Sequence, residues 1–242
     1  MGGAFLGSQK QPHKNTVFDS VEQVLFTVFK QKIRCVPCGR TDSGVSASCM
    51  TFHADFSFIF EEDYLCKRLN RHLINSGIII RSIEKVPLSF HALSSALSRT
   101  YKYFFTFDQS LPHYLLSSVT FLNQQPLFIP SNKDLQNLLG SKNFRYLSNS
   151  SDKKSTIRTI YSINLSSKVI DDLFGNSTLI YCLEITADGF LYRMVRHIVG
   201  LLLHSMLNFT NMDRLYDYIN VHRGSSYNLA PAEGLHLVDV KY

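Results

Sequence analysis

The 242-residue sequence predicts an α+β fold made of two mixed α/β lobes with a cleft between them. Stretches with apolar residues at helical spacing alternate with short runs in which apolar residues recur at every second position. Both halves of the chain contain a similar succession of predicted strands and helices, although the sequence itself is not repeated. We therefore place one lobe at residues 1–92 and the other at residues 93–242.

The first lobe is predicted to contain two helices and three strands. Helices are expected at 17–28, capped by Asn15 or Thr16, and at 61–73, which opens on acidic residues and stops before Gly77. Strands are expected at 32–36, 50–60 and 78–83. One more strand before the first helix would complete a ferredoxin-like or RRM-like βαββαβ plan. The chain begins too late to supply that strand in full, so we expect it to be truncated.

The second lobe has four predicted strands, at 101–107, 156–165, 178–185 and 235–240. Three helices are expected, at 131–140, 190–206 and 211–222. The helix at 190–206 has the strongest pattern, since Phe190, Met194 and Ile198 recur on one side of it. Residues 149–155 are polar and include Lys153 and Lys154, which predicts a mobile loop.

The composition indicates a globular protein, with 45% hydrophobic and 18% charged residues. Lysines and arginines number 25 against 19 aspartates and glutamates, and the net charge of +6 favours a polyanionic partner such as nucleic acid. That balance alone does not identify the partner, because many basic proteins bind no nucleic acid. No apolar run reaches the length of a membrane span and no signal pattern opens the chain, so we expect no membrane association.

Five cysteines without a framework spacing predict a reducing compartment, and hence a cytoplasmic protein. Cys35 and Cys38 form a lone C-x-x-C, but the sequence offers no second pair to complete a zinc site. Gly39 and Gly44 have P-loop spacing without the Lys-Ser/Thr that should follow them. No G-x-G-x-x-G or G-x-S-x-G sequence fits its expected context. We therefore expect neither a metal nor a cofactor.

The segment 38–47 holds the most plausible site of chemistry. It contains one carboxylate, Asp42, two residues after Arg40 and between Gly39 and Gly44, which permit a tight turn. A lone aspartate in a loop between two strands, with an arginine in reach, fits a reactive group. On composition alone it fits an ordinary turn even better.

Four ordered blocks of sequence resemble the TruA-type tRNA pseudouridine synthases. The first is Gly-Arg-Thr-Asp-x-Gly-Val at 39–45, and the others are residues 90–92 with 99–103, residues 189–200 and residues 230–237. The resemblance implies a cofactor-free isomerase that converts uridine to pseudouridine at positions 38–40 of the tRNA anticodon stem-loop. It also implies lobes that share a mostly antiparallel sheet, and a homodimer that grips tRNA with both subunits.

The resemblance also assigns roles to four residues. Asp42 is the nucleophile and Arg196 its counter-ion across the cleft, because burial disfavours a charged carboxylate and a nearby guanidinium restores it. Arg40 flips the target base out of the stack, which otherwise shields the ring atoms. Tyr101 stacks on the flipped base and takes the C5 proton. From pattern alone, Arg196 is equally an arginine extending from an apolar helix toward water.

Further residues are assigned with less support from pattern. Leu235 matches an apolar residue that packs on the uracil face, although without the resemblance it is a core leucine. Tyr103 shares a face with Tyr101 on a strand, so periodicity does not separate the two. Arg99, Lys102 and Arg158 are candidates for phosphate contacts.

The chain departs from the family pattern at three places. Ser46 and Leu93 stand where a histidine and an arginine are common, and the opening strand is shortened. These changes affect the RNA-binding side and leave in place Asp42, Arg40, Tyr101 and Arg196. They motivate an alternative function, a catalytically decayed tRNA-binding protein or RNA chaperone of the same fold. A purely structural protein would leave Arg40, Asp42 and Arg196 unexplained.

Overall fold

The computed structural model describes residues 2–12, 15–149, 155–172, 175–209, 211–212 and 227–242. It confirms a mixed α+β fold with few helices. The helices are α1 (Val17–Phe29), α2 (Glu62–Leu73) and α3 (Met194–Asn208). The strands are β1 (Val36–Pro37), β2 (Ser46–Ala47), β3 (Phe52–His53), β4 (Ser98–Thr106), β5 (Thr120–Phe121), β6 (Gly140–Asn143), β7 (Ile157–Asp171), β8 (Ser177–Ala187) and β9 (Leu235–Lys241). Lys153, Lys154 and the predicted helix at 211–222 beyond residue 212 lie outside the described residues.

Seven strands form the main sheet, in the order β2-β9-β4-β8-β7-β6, with β5 paired to the end of β4. The pairs β2–β9 and β4–β5 are parallel and the others are antiparallel. Tyr101 lies in the central strand β4, opposite Ile185 of β8 and Leu237 of β9. The sheet therefore holds Tyr101 from both sides.

Helix α3 is the most buried helix that the structure describes, because its apolar residues occupy nearly its whole circumference. It begins at Met194 and not at Phe190 as predicted, since Arg193 adopts a left-handed conformation with φ 63° that interrupts the helix. Gly200 lets the segment before β9 approach closely, because a Cβ there would lie 2.3 Å from the Asn228 carbonyl oxygen.

All three predicted strands of the first lobe are largely wrong, and of residues 32–36 only Val36 lies in a strand, β1. Of residues 50–60 only β3 is a strand, paired with β1, and residues 78–83 contain no strand. Their apolar residues still pack against α1 and α2, so the alternating pattern reports burial correctly. Ile80 exchanges its backbone hydrogen bonds with the Asn70 side chain at 2.8 Å in each direction. Residues 50–60 and 78–83 both line a cavity of about 960 Å³, where a neighbouring strand would be needed to complete a ladder.

The other local predictions are mostly confirmed, with one change of helix type. Thr16 caps α1 by accepting from the Asp19 amide, and Glu61 caps α2. Ser131 and Asp134 form a capping box, but the helix that follows is a 3-10 helix, Asn132–Leu138. The remaining 3-10 helices are Gly2–Ala4, His113–Leu115 and Arg145–Leu147.

Three clusters of buried apolar residues make up the core. One lies between α1 and α2 within residues 18–80, and the largest joins α3 to the main sheet and includes Val45. A third combines Cys38 and Ala92 with Leu237 and Val240 of β9. The division into lobes at 1–92 and 93–242 stays a prediction. None of the helices in the described ranges is both long and apolar enough to cross a membrane.

Candidate active site

The loop that carries Asp42, residues 38–47, is fixed by the first residues of the chain. The Thr41 amide donates to Ser8 Oγ at 2.8 Å and the Ser8 amide donates to the Thr41 carbonyl at 3.2 Å. Two more bonds join the same segments, from Ser43 Oγ to the Phe5 carbonyl (3.2 Å) and from the Gly2 amide to Ser46 Oγ (3.0 Å). The Val45 amide also donates to the Asp42 carbonyl at 3.2 Å. The backbone at Asp42 is therefore held on both sides.

The Asp42 carboxylate is paired with Arg196 of α3, 154 positions away in the sequence. Arg196 Nη1 lies 3.0 Å from Asp42 Oδ2, and the two side chains are 14% and 19% exposed. Arg196 Nε donates to the Ala230 carbonyl at 2.7 Å, and the Ala230 amide donates to the Arg196 carbonyl at 3.2 Å. This double contact orients the guanidinium, which makes a charge-assisted bond to the Asp42 carboxylate. Asp42 Oδ1 has no donor within the described part of the chain.

A second arginine beside Asp42, Arg193, was not predicted from the sequence. Arg193 Nε lies 3.8 Å from the same oxygen, Oδ2, and the side chain is 37% exposed. Arg193 immediately precedes α3 and Arg196 lies in its first turn, and both side chains reach the same oxygen of Asp42.

Tyr101 and Tyr103 differ in what their hydroxyls contact. Tyr103 is fully buried and its hydroxyl bonds to Thr120 Oγ1 at 2.7 Å and to the Pro231 carbonyl at 3.1 Å. The Tyr101 hydroxyl has no hydrogen-bond partner among the described residues, and its ring meets Phe190 edge-on at 5.2 Å. Tyr101 is thus the tyrosine left available to a substrate.

The pKa of Tyr101 is raised above its ordinary value of 10, chiefly by burial. The charge of Asp42 also raises it, and the charge of Arg99 opposes the rise. The phenol stays protonated at neutral pH.

The other predicted substrate-binding residues are scattered. Arg40 is exposed on its loop and makes no ion pair or hydrogen bond within the described ranges. Leu235 is buried, opposite Tyr103 in the sheet. Lys102 follows Tyr101 and therefore points from the other face of β4, where it pairs with Glu184 at 2.8 Å.

Arg99 and Arg158 both lie close to Gly189, and both donate to backbone carbonyls. Arg99 makes four such contacts, to Cys38 twice (3.1 and 2.8 Å), Leu93 (2.8 Å) and Asp188 (2.9 Å). Arg158 Nη1 donates to Ser155 and to its own neighbour, Ile157. Arg99 thus joins the Asp42 loop to two other loops.

Ser46 and Leu93, the two residues that depart from the family pattern, have different surroundings. Ser46 is buried and accepts the bond from the Gly2 amide, so it anchors the start of the chain. Leu93 is half exposed, and its carbonyl accepts from Arg99. The side chain at 93 therefore faces solvent, while its backbone belongs to the Arg99 contacts.

The C-x-x-C cysteines are both buried thiols. Burial raises the pKa of Cys35 to about 12, and it also raises the pKa of Cys38. The thiolate is the form that ligates metals, so these two groups are poorly prepared for that role. Across the described residues, no group of three or more His, Cys, Asp or Glu side chains is placed to hold a metal ion.

Comparison with known proteins identifies the family. A family model described as tRNA pseudouridine synthase matches residues 135–242. Relatives named tRNA pseudouridine synthase A are 32% identical in Ureaplasma parvum serovar 3 and 31% identical in a Hydrogenobaculum species, each covering 100% of this chain and 96% of the relative. A protein of Bacillus cereus named tRNA pseudouridine synthase A 1 is 31% identical, over 100% of this chain and 95% of its own length. The chain therefore belongs to the tRNA pseudouridine synthase A family, whose members are isomerases that convert uridine to pseudouridine.

Proposed function

We propose that this chain isomerises uridine to pseudouridine at positions 38–40 of the tRNA anticodon stem-loop, with Asp42 as nucleophile. The observation that carries the proposal is the asymmetry of the Asp42 carboxylate. Arg196 holds Oδ2 at 3.0 Å, whereas Oδ1 has no donor among the described residues. An ionised carboxylate with one anchored and one free oxygen is suited to nucleophilic attack.

The reaction requires no net gain or loss of atoms. Asp42 attacks the base or the sugar carbon, the N1–C1′ bond breaks and the uracil turns. A C5–C1′ bond then forms, and the bond to Asp42 breaks to return the free carboxylate. The C5 hydrogen is then lost and N1 gains a proton. Tyr101 is the proposed acceptor of the C5 proton, and its raised pKa means that the phenol must pass its own proton on as it accepts.

Access to the glycosidic bond requires that the uridine leave the stack. Arg40 is proposed to fill the vacated space, which is supported by its exposure two residues before Asp42. Leu235 is proposed to pack against the uracil face. By family analogy we also propose a homodimer in the cytoplasm, where five free cysteines are stable.

The proposal is tested by mapping pseudouridine in an unmodified tRNA transcript with uridine at positions 38, 39 and 40. Wild-type protein should convert uridine at one or more of these positions, and Asp42→Asn, which keeps the size and loses the charge, should convert none. Tight binding of the transcript by wild type without any product would instead support the decayed binding protein. Full conversion by Asp42→Asn would contradict the assigned nucleophile.

A further inference from the structure

Arg193 occupies a position that is unfavourable for an arginine in several ways. Its backbone is left-handed, with φ 63° and ψ 10°, a region that favours glycine and tolerates asparagine. It is the N-cap of α3, but its side chain makes no capping bond. A positive charge also repels the positive end of the helix dipole. Arg193 is therefore expected to lower the folding stability at this position.

The contacts of Arg193 within the protein do not offset this penalty. Its Nε is 3.8 Å from Asp42 Oδ2, which is beyond hydrogen-bond distance, and Arg196 already binds that oxygen. Nε is buried and has no hydrogen-bond partner among the described residues. The guanidinium carbon lies 4.9 Å from the centre of the Tyr192 ring, and Tyr192 is itself half exposed. The Arg193 side chain is thus held in place, but its hydrogen-bonding groups are not all paired within the described residues.

The surroundings of Asp42 carry an excess of positive charge. Two guanidiniums and the start of α3 meet one carboxylate. The same field is felt by His197, whose pKa is lowered by burial and, in addition, by Arg193 and Arg196. An anion that enters beside Asp42 would relieve this imbalance.

We propose that Arg193 binds a backbone phosphate of the substrate RNA at the target nucleotide. The inference rests on the proposed function, in which the target uridine is brought to Asp42. The ribose of that uridine must then lie beside Asp42, and its phosphates are attached through the 3′ and 5′ oxygens of the same ribose. A planar guanidinium that is 37% exposed, and supported by the Tyr192 ring, matches the paired oxygens of a phosphate.

The decisive variant is Arg193→Asn, because stability and binding should change in opposite directions. Asparagine tolerates the left-handed backbone, can cap α3 and removes the repelling charge, so Tm should rise by about 2–4 °C. The Kd for tRNA should rise about 10- to 100-fold, the effect of losing a charge-assisted hydrogen bond. The slope of log Kd against log salt concentration should decrease by about 0.7–0.9.

Binding is measured by fluorescence anisotropy, well below the Tm of every variant, so that each Kd reports on folded protein. The probe is an unmodified tRNA transcript with uridine at positions 38–40, and every protein compared, including the reference, carries Asp42→Asn so that the target nucleotide binds without turnover. Arg193→Lys should restore the slope of log Kd against log salt concentration but only part of the affinity. It keeps the positive charge and loses the planar guanidinium that donates two parallel hydrogen bonds. Arg71→Gln, which removes an exposed arginine of α2, is the control for loss of one charge.

A Kd and salt slope for Arg193→Asn equal to those of the reference would overturn the inference, and so would an equal loss of affinity in Arg71→Gln. These results are distinguishable from failure of the proposed function. If wild-type protein makes pseudouridine but Arg193→Asn binds as the reference does, only the role of Arg193 is wrong. If wild-type protein binds tRNA and makes no pseudouridine, the proposed function is wrong whatever Arg193 does.

Discussion

The role of Arg99 that its contacts support differs from the role predicted from the sequence. It was expected to bind phosphate, yet its guanidinium donates to the carbonyls of Cys38, Leu93 and Asp188 at 2.8–3.1 Å. Arg99→Met keeps the apolar stem and removes all four contacts. Three carbonyls that lose a donor correspond to about 3 kcal/mol at about 1 kcal/mol each. For a chain of this length that is a fall in Tm of about 6–12 °C.

The assay is thermal unfolding together with the salt dependence of tRNA binding. Lys102→Met is the matched control, since it removes a cation from the next position of β4 and loses only the exposed pair with Glu184, worth less than about 1 kcal/mol. We expect a large fall in Tm for Arg99→Met and an unchanged salt slope. A Tm within 2 °C of wild type, with a slope reduced by about 0.7–0.9, would refute the reasoning and restore the phosphate contact.

Two further predictions concern the ion pair and the histidines. Arg196→Met leaves the Asp42 carboxylate, which is 19% exposed, without its hydrogen-bonded partner and with only the more distant Arg193. We expect Tm to fall and turnover to drop by at least about 100-fold, with partial recovery in Arg196→Lys. Unchanged turnover in Arg196→Met would contradict the role of the pair. Burial lowers the pKa of His197, His204 and His236 below the ordinary 6.5, so the unfolded chain binds more protons below that pH. Tm should therefore fall from pH 7.5 to pH 5.5, and a flat profile across that range would contradict the neutral buried histidines.

Elements fixed by local chemistry were predictable from the sequence. The stripe of α1, its Thr16 cap and the capping box at Ser131 are encoded within a few residues, and the structure has all three. Strands predicted at 156–165 and 178–185 correspond to β7 and β8, although β7 is longer than predicted and its pairing with β8 shifts register between Ile160 and Ser162.

Features that depend on distant parts of the chain were less predictable. The alternating phenylalanines at 52–60 identified a buried face but not a strand, because a strand also requires a neighbour to accept its hydrogen bonds. Arg99 was predicted to bind phosphate because the sequence does not show which carbonyls surround it. Its actual acceptors lie 6, 61 and 89 residues away in the chain.

The candidate site shows the same limit. No local pattern pairs Asp42 with Arg196, and only the family resemblance brought them together in advance. Arg193 was missed because its left-handed backbone, which sets the direction of its side chain, is not visible in the sequence. Fold class and helix positions were thus accessible from pattern, whereas the geometry around the carboxylate was not.

The central claim, that Asp42 forms pseudouridine, is tested most directly by tritium release from tRNA that carries C5-tritiated uridine. C5 loses its hydrogen only when it becomes the new glycosidic carbon. We predict release by wild-type protein and none by Asp42→Ala, with tRNA binding retained in both. Release by Asp42→Ala at the wild-type rate would contradict the account, and so would absence of release by wild-type protein that binds tRNA.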